Sequence, residues 1–180
     1  MADSGRAPLP YDHLPSVPEL SVTSDDIADG ARFPDAHVAD IMGCTGDNQS
    51  PHLAWSNAPE GTQSYAVTCF DPDAPTGSGF WHWVVFDIPA DVTELPRGAG
   101  SGDKPGLPEG AKHARNDLGA TEYVGSAPPP GHGEHRYVFA VHALSVPSLG
   151  IDSSASPAVV GFNAFFNTIG RGVLIAHYGR

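Results

Sequence analysis

Four side chains are of types that could do chemistry together: Asp71, His82, His135 and Tyr137. Asp71 opens Asp71-Pro72-Asp73-Ala74-Pro75, where the prolines fix φ and push their predecessors toward extended geometry, so the carboxylate sits on a stiff turn. Thr76-Gly77-Ser78-Gly79 lets the chain reverse, and His82 follows within the apolar run from Phe80 to Phe86, a strong buried-strand signal. His135 and Tyr137 begin a second strong strand pattern, His135 to Val146, directly after a Pro-rich and then Gly-rich loop from Gly125 to Gly133. Alternation places His135, Tyr137, Phe139, Val141 and Ala143 on one face, and Arg136, Val138, Ala140, His142 and Leu144 on the other. Two strand–loop units of the same build point to a shared pocket. Imidazoles and a phenol offer donors to an oxyanion such as phosphate or carboxylate. A bare carboxylate would repel that ligand, so Asp71 reads as the partner that sets one histidine's tautomer and favours its protonated form. Backbone amides near Ser126 and Ala127 could add a neutral anion nest. The rival reading of His82 is a core histidine satisfied by a backbone carbonyl.

The elements that must position these groups are those of a mainly β chain. Gly 21 and Pro 18, spread through 180 residues, indicate many turns between short strands, and the length suits one domain. Residues 1–18, with Pro8, Pro10, Pro15 and Pro18, read as an extended arm, and residues 19–180 as the domain. Strands are expected at Glu19 to Thr23, Val38 to Met42, Leu53 to Ser56, Ser64 to Phe70 and Val173 to Tyr178, besides the two already named. Asp91 to Gly125 reads as a long polar stretch whose glycine run, Gly98 to Gly102, is loop. Ser156-Pro157 reads as N-cap and first turn of a helix to about Gly170, with Val159, Phe162, Phe166 and Ile169 forming its core-facing stripe. The expected architecture is a two-layer antiparallel β protein with one C-terminal amphipathic helix.

Composition closes off several classes. A formal charge of −12 and a pI near 4.9 argue against nucleic acid as a partner. Cys44 and Cys69 read as reduced and structural. His132 and His135 are three apart on a loop and a strand, without H-E-x-x-H, so neither metal nor cofactor is expected. No G-x-S-x-G elbow and no phosphate-binding P-loop occurs. No apolar run is long enough to cross a membrane and no signal-peptide pattern is present, so the default expectation is cytoplasmic without integral membrane association. Arg136 reads as a structural ion pair, His142 as a core histidine, and Trp55, Trp81 and Trp83 as core.

Asp71-Pro72-Asp73-Ala74-Pro75, His82-Trp83-Val84-Val85, and Pro128-Pro129 followed by Gly133 and His135-Arg136-Tyr137 resemble, in order and spacing, the phosphatidylethanolamine-binding protein family. Asn48, Ser50-Pro51, Leu53, Trp55 and Asn116-Asp117 resemble its bacterial Raf-kinase-inhibitor-like (YbhB/YbcL) branch. The resemblance covers about residues 19 to 180. It implies a large central antiparallel sheet flanked by a smaller one, with a small anion pocket lined by Asp71, His82, Pro128, Pro129, His135 and Tyr137. It further implies a phospho-headgroup ligand, a role as inhibitor or scaffold of a kinase or protease, and a homodimer. The chain after the second histidine motif is shorter than in animal members, so gating and ligand are expected to differ. Two functions follow: a binding protein for a small anionic or phosphorylated ligand, or a metal-free acid/base enzyme (isomerase, cyclase or hydrolase) using His82, His135, Asp71 and Tyr137.

Overall fold

The computed structural model describes residues 5–102 and 106–180 of the chain. Its centre is a strand that the sequence makes apolar on both faces. The strands are β1 (Ser21–Thr23), β2 (Leu53–Ser56), β3 (Ser64–Asp71), β4 (Phe80–Pro89), β5 (Glu94–Leu95), β6 (Lys112–His113), β7 (His135–Leu144) and β8 (Thr168–Tyr178), with α1 (Pro157–Phe165) before the last. Every residue of β3 is buried, because β4 and β7 pair with its two edges and both its faces are covered. The large sheet has the order β6-β4-β3-β7-β8 and the small one β1-β2-β5, with all pairings antiparallel.

The two faces of the large sheet carry separate cores. Tyr65, Val67 and Cys69 of β3 and Tyr137, Phe139 and Val141 of β7 pack with Leu53, Trp55 and Leu95 of the small sheet. Ala66 of β3, Val84 and Phe86 of β4 and Leu144 of β7 pack instead beneath α1, against Val160 and Ala164. Glycines at 170 and 172 let the small-sheet side close onto β8: a Cβ at Gly172 would collide with the Leu20 carbonyl. The period-two reading of β7 therefore holds along its length.

Alternation fails twice in β4, for a physical reason. Cys69 pairs with Trp83 while Phe70 pairs with Trp81, so His82 is an extra residue in a β-bulge; a second bulge between Val67 and Tyr65 leaves Phe86 and Asp87 opposite Ala66. Asp87 takes φ 55° there and accepts hydrogen bonds from Lys112 Nζ, Ser148 Oγ and the Leu149 amide.

Four expectations are corrected. Val38 to Met42 is not a strand: Asp35–His37 is a short 3-10 turn, Val38 makes one isolated bridge to Ser126, and Met42 turns at φ 55°. The helix begins as expected, Ser156 Oγ accepting the Val159 amide, but ends at Phe165, and Ile169 belongs to β8. Its buried stripe is Pro157, Val160 and Ala164, so Val159, Phe162 and Phe166 face solvent. The observed stripe lies two residues before the expected one, on the opposite side of the helix, because both sides are apolar and periodicity alone does not choose between them. Trp81 is half-buried rather than core, whereas Trp55 and Trp83 are buried.

The arm runs along the face that carries α1. Tyr11, in the 3-10 turn Pro10–His13, shares a hydrogen bond with Thr68 Oγ1 and packs edge-on against His142 at 5.4 Å. Arg136 closes on Asp73 through Nη2 (2.6 Å) and Nε (2.8 Å) and donates to the Ala7 carbonyl, so its expected ion pair also anchors the arm.

His142 makes stability depend on pH. Burial first, and then the Arg171 guanidinium, push its pKa down to about 3. Its folded value thus lies below its unfolded one, so below pH ~6.5 the unfolded chain holds a proton that the folded chain refuses, and stability falls with pH at about 1.4 kcal/mol per unit from this group alone. His142→Gln, whose amide oxygen can still accept from Arg171, is expected to flatten the urea-derived stability slope between pH ~6 and ~4.5 by about one proton. An unchanged slope would assign that proton uptake elsewhere.

Candidate functional site

The bulge at His82 is what creates the site. Val84 and Phe86 belong to the α1 face, and strict alternation would send His82 there too; the extra residue turns its ring onto the opposite face, 5.2 Å edge-on from Tyr137. Trp81, one step earlier, is thrown onto the α1 face instead.

Asp71, at the end of β3, is buried and fully used. Its Oδ1 accepts the Asp73 amide, the bond expected of an aspartate opening a tight turn, and its Oδ2 accepts from His135 Nδ1 at 2.7 Å. The other ring nitrogen, His135 Nε2, lies 2.8 Å from His132 Nδ1. With Nδ1–H committed to Asp71, neutral His135 accepts at Nε2 and His132 donates. A chain Asp71–His135–His132 thus runs from the buried carboxylate to an exposed imidazole.

His82 is oriented differently. Its Nδ1–H donates to the Val124 carbonyl at 2.9 Å, which leaves Nε2 as a lone pair when the ring is neutral. Burial depresses its pKa, against the opposing pull of Asp71, so the neutral form prevails. The carbonyl partner of the rival reading is therefore present, and it uses only one of the two nitrogens. Tyr137 stacks on Phe33 at 5.4 Å, and its buried hydroxyl has no hydrogen-bond partner. Burial and then Asp71 raise its pKa well above the usual phenol value, so it stays a donor.

All six residues expected from sequence, Asp71, His82, Pro128, Pro129, His135 and Tyr137, line one cavity of about 190 Å³. Ala127 lines it too, while Ser126 is buried beside it with an unpartnered hydroxyl. The surrounding loops are braced by side chains of the secondary motifs. Asn48 Oδ1 accepts the Gly125 amide, Asn116 bonds Leu118, Ala120 and Glu122, and Asp117 Oδ2 accepts the Trp81 amide. Gly125 is required here, since a Cβ would collide with the Ala39 amide. Among the described residues no group of three or more His, Cys, Asp or Glu side chains is placed to hold a metal ion.

Residues 23–179 match the family model of phosphatidylethanolamine-binding proteins. The chain belongs to the phosphatidylethanolamine-binding protein family. It is 49% identical over 159 residues to the UPF0098 protein YbhB of Escherichia coli, spanning 88% of this chain and 99% of that protein. Over 150 residues it is 49% identical to E. coli YbcL, spanning 83% and 82% respectively. The crystal structure of YbcL, described as a member of the mammalian PEBP family, superposes with a TM-score of 0.87 at 46% identity, covering 90% of this chain and 99% of that one. A Chlamydia trachomatis homologue at 23% identity shares the fold, with a TM-score of 0.75.

Several lining residues of this family member were not read from sequence. Ile41, Met42 and Leu118 are exposed apolar side chains at the cavity. Arg180 donates to the Pro128 and Met42 carbonyls, clamping two rim loops with the chain's last residue. The role of His132 is not that of a metal ligand but of a partner to His135 Nε2, and its place three residues before His135, after a glycine, is the sequence signal for it.

Asp71→Asn is expected to cost about 2 kcal/mol of folding stability, because an amide NH2 would face a buried N–H donor where a charged acceptor stood. Urea denaturation with an unchanged m-value would register it. A loss below about 0.5 kcal/mol would show that the His135 bond contributes little.

Proposed function

We propose that this chain is a binding protein for a compact anionic group, a phosphate monoester being the best fit, rather than an enzyme. The observation that carries the reading is the Tyr137 hydroxyl, a buried donor with no partner that lines a cavity of phosphate size. A volume of 190 Å³ holds about six waters, enough for the phosphate of a phosphorylated headgroup, whose remaining atoms extend through the open mouth, and too little for an acyl chain. His82 is the switchable member. Neutral, it turns an acceptor toward the ligand; protonated, it turns a donor. Anion binding is therefore coupled to proton uptake, and Asp71, held by His135, supplies the field that favours it. The apolar rim of Ile41, Met42 and Leu118 suits a partner surface, and any action on a kinase or protease would work through that rim.

The second reading, a metal-free acid/base enzyme, is favoured by the Asp71–His135–His132 chain, which can pass a proton between solvent and the buried site.

Calorimetric titration with O-phosphoethanolamine is expected to show affinity rising from pH 8 to pH 6, by up to tenfold per unit, as His82 takes up a proton. Sulfate, which does not titrate in that range, separates this effect from protonation of the phosphate itself. Tyr137→Phe should weaken binding about tenfold. Affinity for both anions that stays flat with pH counts against the reading. Turnover of a small molecule lost in His82→Ala and His135→Ala would favour the enzyme.

A further inference from the structure

The face of the large sheet opposite the His82 cavity holds a second, larger one. Its volume is about 270 Å³, and its walls come from three parts of the chain: the arm (Tyr11, Leu14), the sheet (Thr68, Trp81, His142, Arg171) and α1 (Val160, Gly161, Phe165). None of the residues of the anion site takes part in it.

The lining is chiefly apolar, with one fixed positive charge. Tyr11 is neutral, its pKa pushed up to about 12 by burial, and its hydroxyl is already bonded to Thr68. His142 is held neutral and accepts Arg171 Nε at 3.3 Å. The Arg171 guanidinium lies 4.9 Å over the Tyr11 ring. Among the described residues no carboxylate forms an ion pair with it, and its two Nη groups have no protein acceptor. Asp12 and Glu19 share a shallower depression with it on the solvent side. Arg136 and Lys112, by contrast, are paired with acidic groups, Asp73 and Asp87. An arginine fork left open at one end of an apolar slot has the shape and charge of a carboxylate receptor with room for a tail. The mouth agrees: Phe165, half-exposed, lines the slot and packs edge-on against the exposed Phe166, which does the same with Phe162.

We propose that the cavity between the arm, α1 and the outer face of the large sheet binds a small amphipathic monocarboxylate, its head on Arg171 and its apolar tail against Trp81, Val160 and Phe165. At about 30 Å³ per water-sized atom, 270 Å³ accommodates a ligand of about nine or ten non-hydrogen atoms, which makes octanoate a suitable probe. The site is independent of the anion pocket and of any function assigned to it.

Octanoate is titrated into the full chain while tryptophan fluorescence, to which Trp81 in the slot contributes, and the heat of binding are followed, with octanol and octylamine as tail-matched controls. Saturable one-to-one binding is expected, at least tenfold weaker for octanol and weaker still for octylamine. Arg171→Met should lower octanoate affinity at least tenfold. Gly161→Leu should abolish it without harming the fold, because a Cβ at this helical glycine meets nothing within 4 Å and its side chain would grow into the slot. Saturating O-phosphoethanolamine should leave octanoate binding unchanged. No saturation up to about 1 mM, equal affinity for octanol, retained binding in Gly161→Leu, or displacement by O-phosphoethanolamine would each overturn the proposal.

Discussion

One extra residue in β4 governs the chemistry on both faces of this sheet. Between its pairings of Trp81 with Phe70 and Trp83 with Cys69, the strand must absorb His82, and the pleat reverses there. In unbroken alternation the imidazole would lie beneath α1 among Val84 and Phe86, and the indole of Trp81 would lie in the inter-sheet core. With it, a titratable ring enters one cavity and an aromatic wall enters the other. The flanking backbone is held in this unusual register from outside: Asp117 captures the Trp81 amide, and the Val124 carbonyl captures the His82 ring. A bulge so braced is a fixed feature of the fold.

Asp71 anchors the neighbouring corner. A buried carboxylate survives only when its charge is compensated, and here one oxygen is taken by a backbone amide and the other by His135. The adjacent Asp73 faces the opposite way and pairs with Arg136. Two aspartates of one rigid turn thus hold consecutive residues of β7, one on each face of the sheet. That explains why the Asp-Pro-Asp stretch and the His-Arg-Tyr stretch form one spatial unit although 64 positions separate Asp71 and His135.

Much of this was legible in the sequence, where local chemistry is strong. Prolines around Asp71 and Asp73 force a turn, and the apolar density of β3 requires cover on both faces. Strict alternation in β7 put His135 and Tyr137 on one side correctly. What could not be read is where alternation breaks: no residue type announces a bulge, so the face of His82 was set by tertiary pairing. The stripe of α1 escaped for a related reason. With Val159, Val160, Phe162, Phe165 and Phe166 all apolar, hydrophobicity alone leaves the helix rotation undetermined, and the small Ala164 against the sheet decides it. Arg180 was invisible because its partners are carbonyls, which every residue has.

The surface carries the consequence of these choices. On a chain of net charge −12, large exposed apolar side chains should be scattered singly if they have no role. Among the described residues they gather instead in two places: Ile41, Met42 and Leu118 line one cavity, while Phe165 lines the other with Val159, Phe162 and Phe166 on and just beyond the same helix. Each group adjoins a pocket in which a polar group lacks a partner among the described residues, the Tyr137 hydroxyl in one and, beyond the Nε bond to His142, the Arg171 guanidinium in the other. Apolar mouths around underused polar ends are the pattern of sites that select amphipathic molecules, since the polar end fixes orientation and the mouth supplies burial. A single strand irregularity, at His82, lets one sheet present that pattern on both sides.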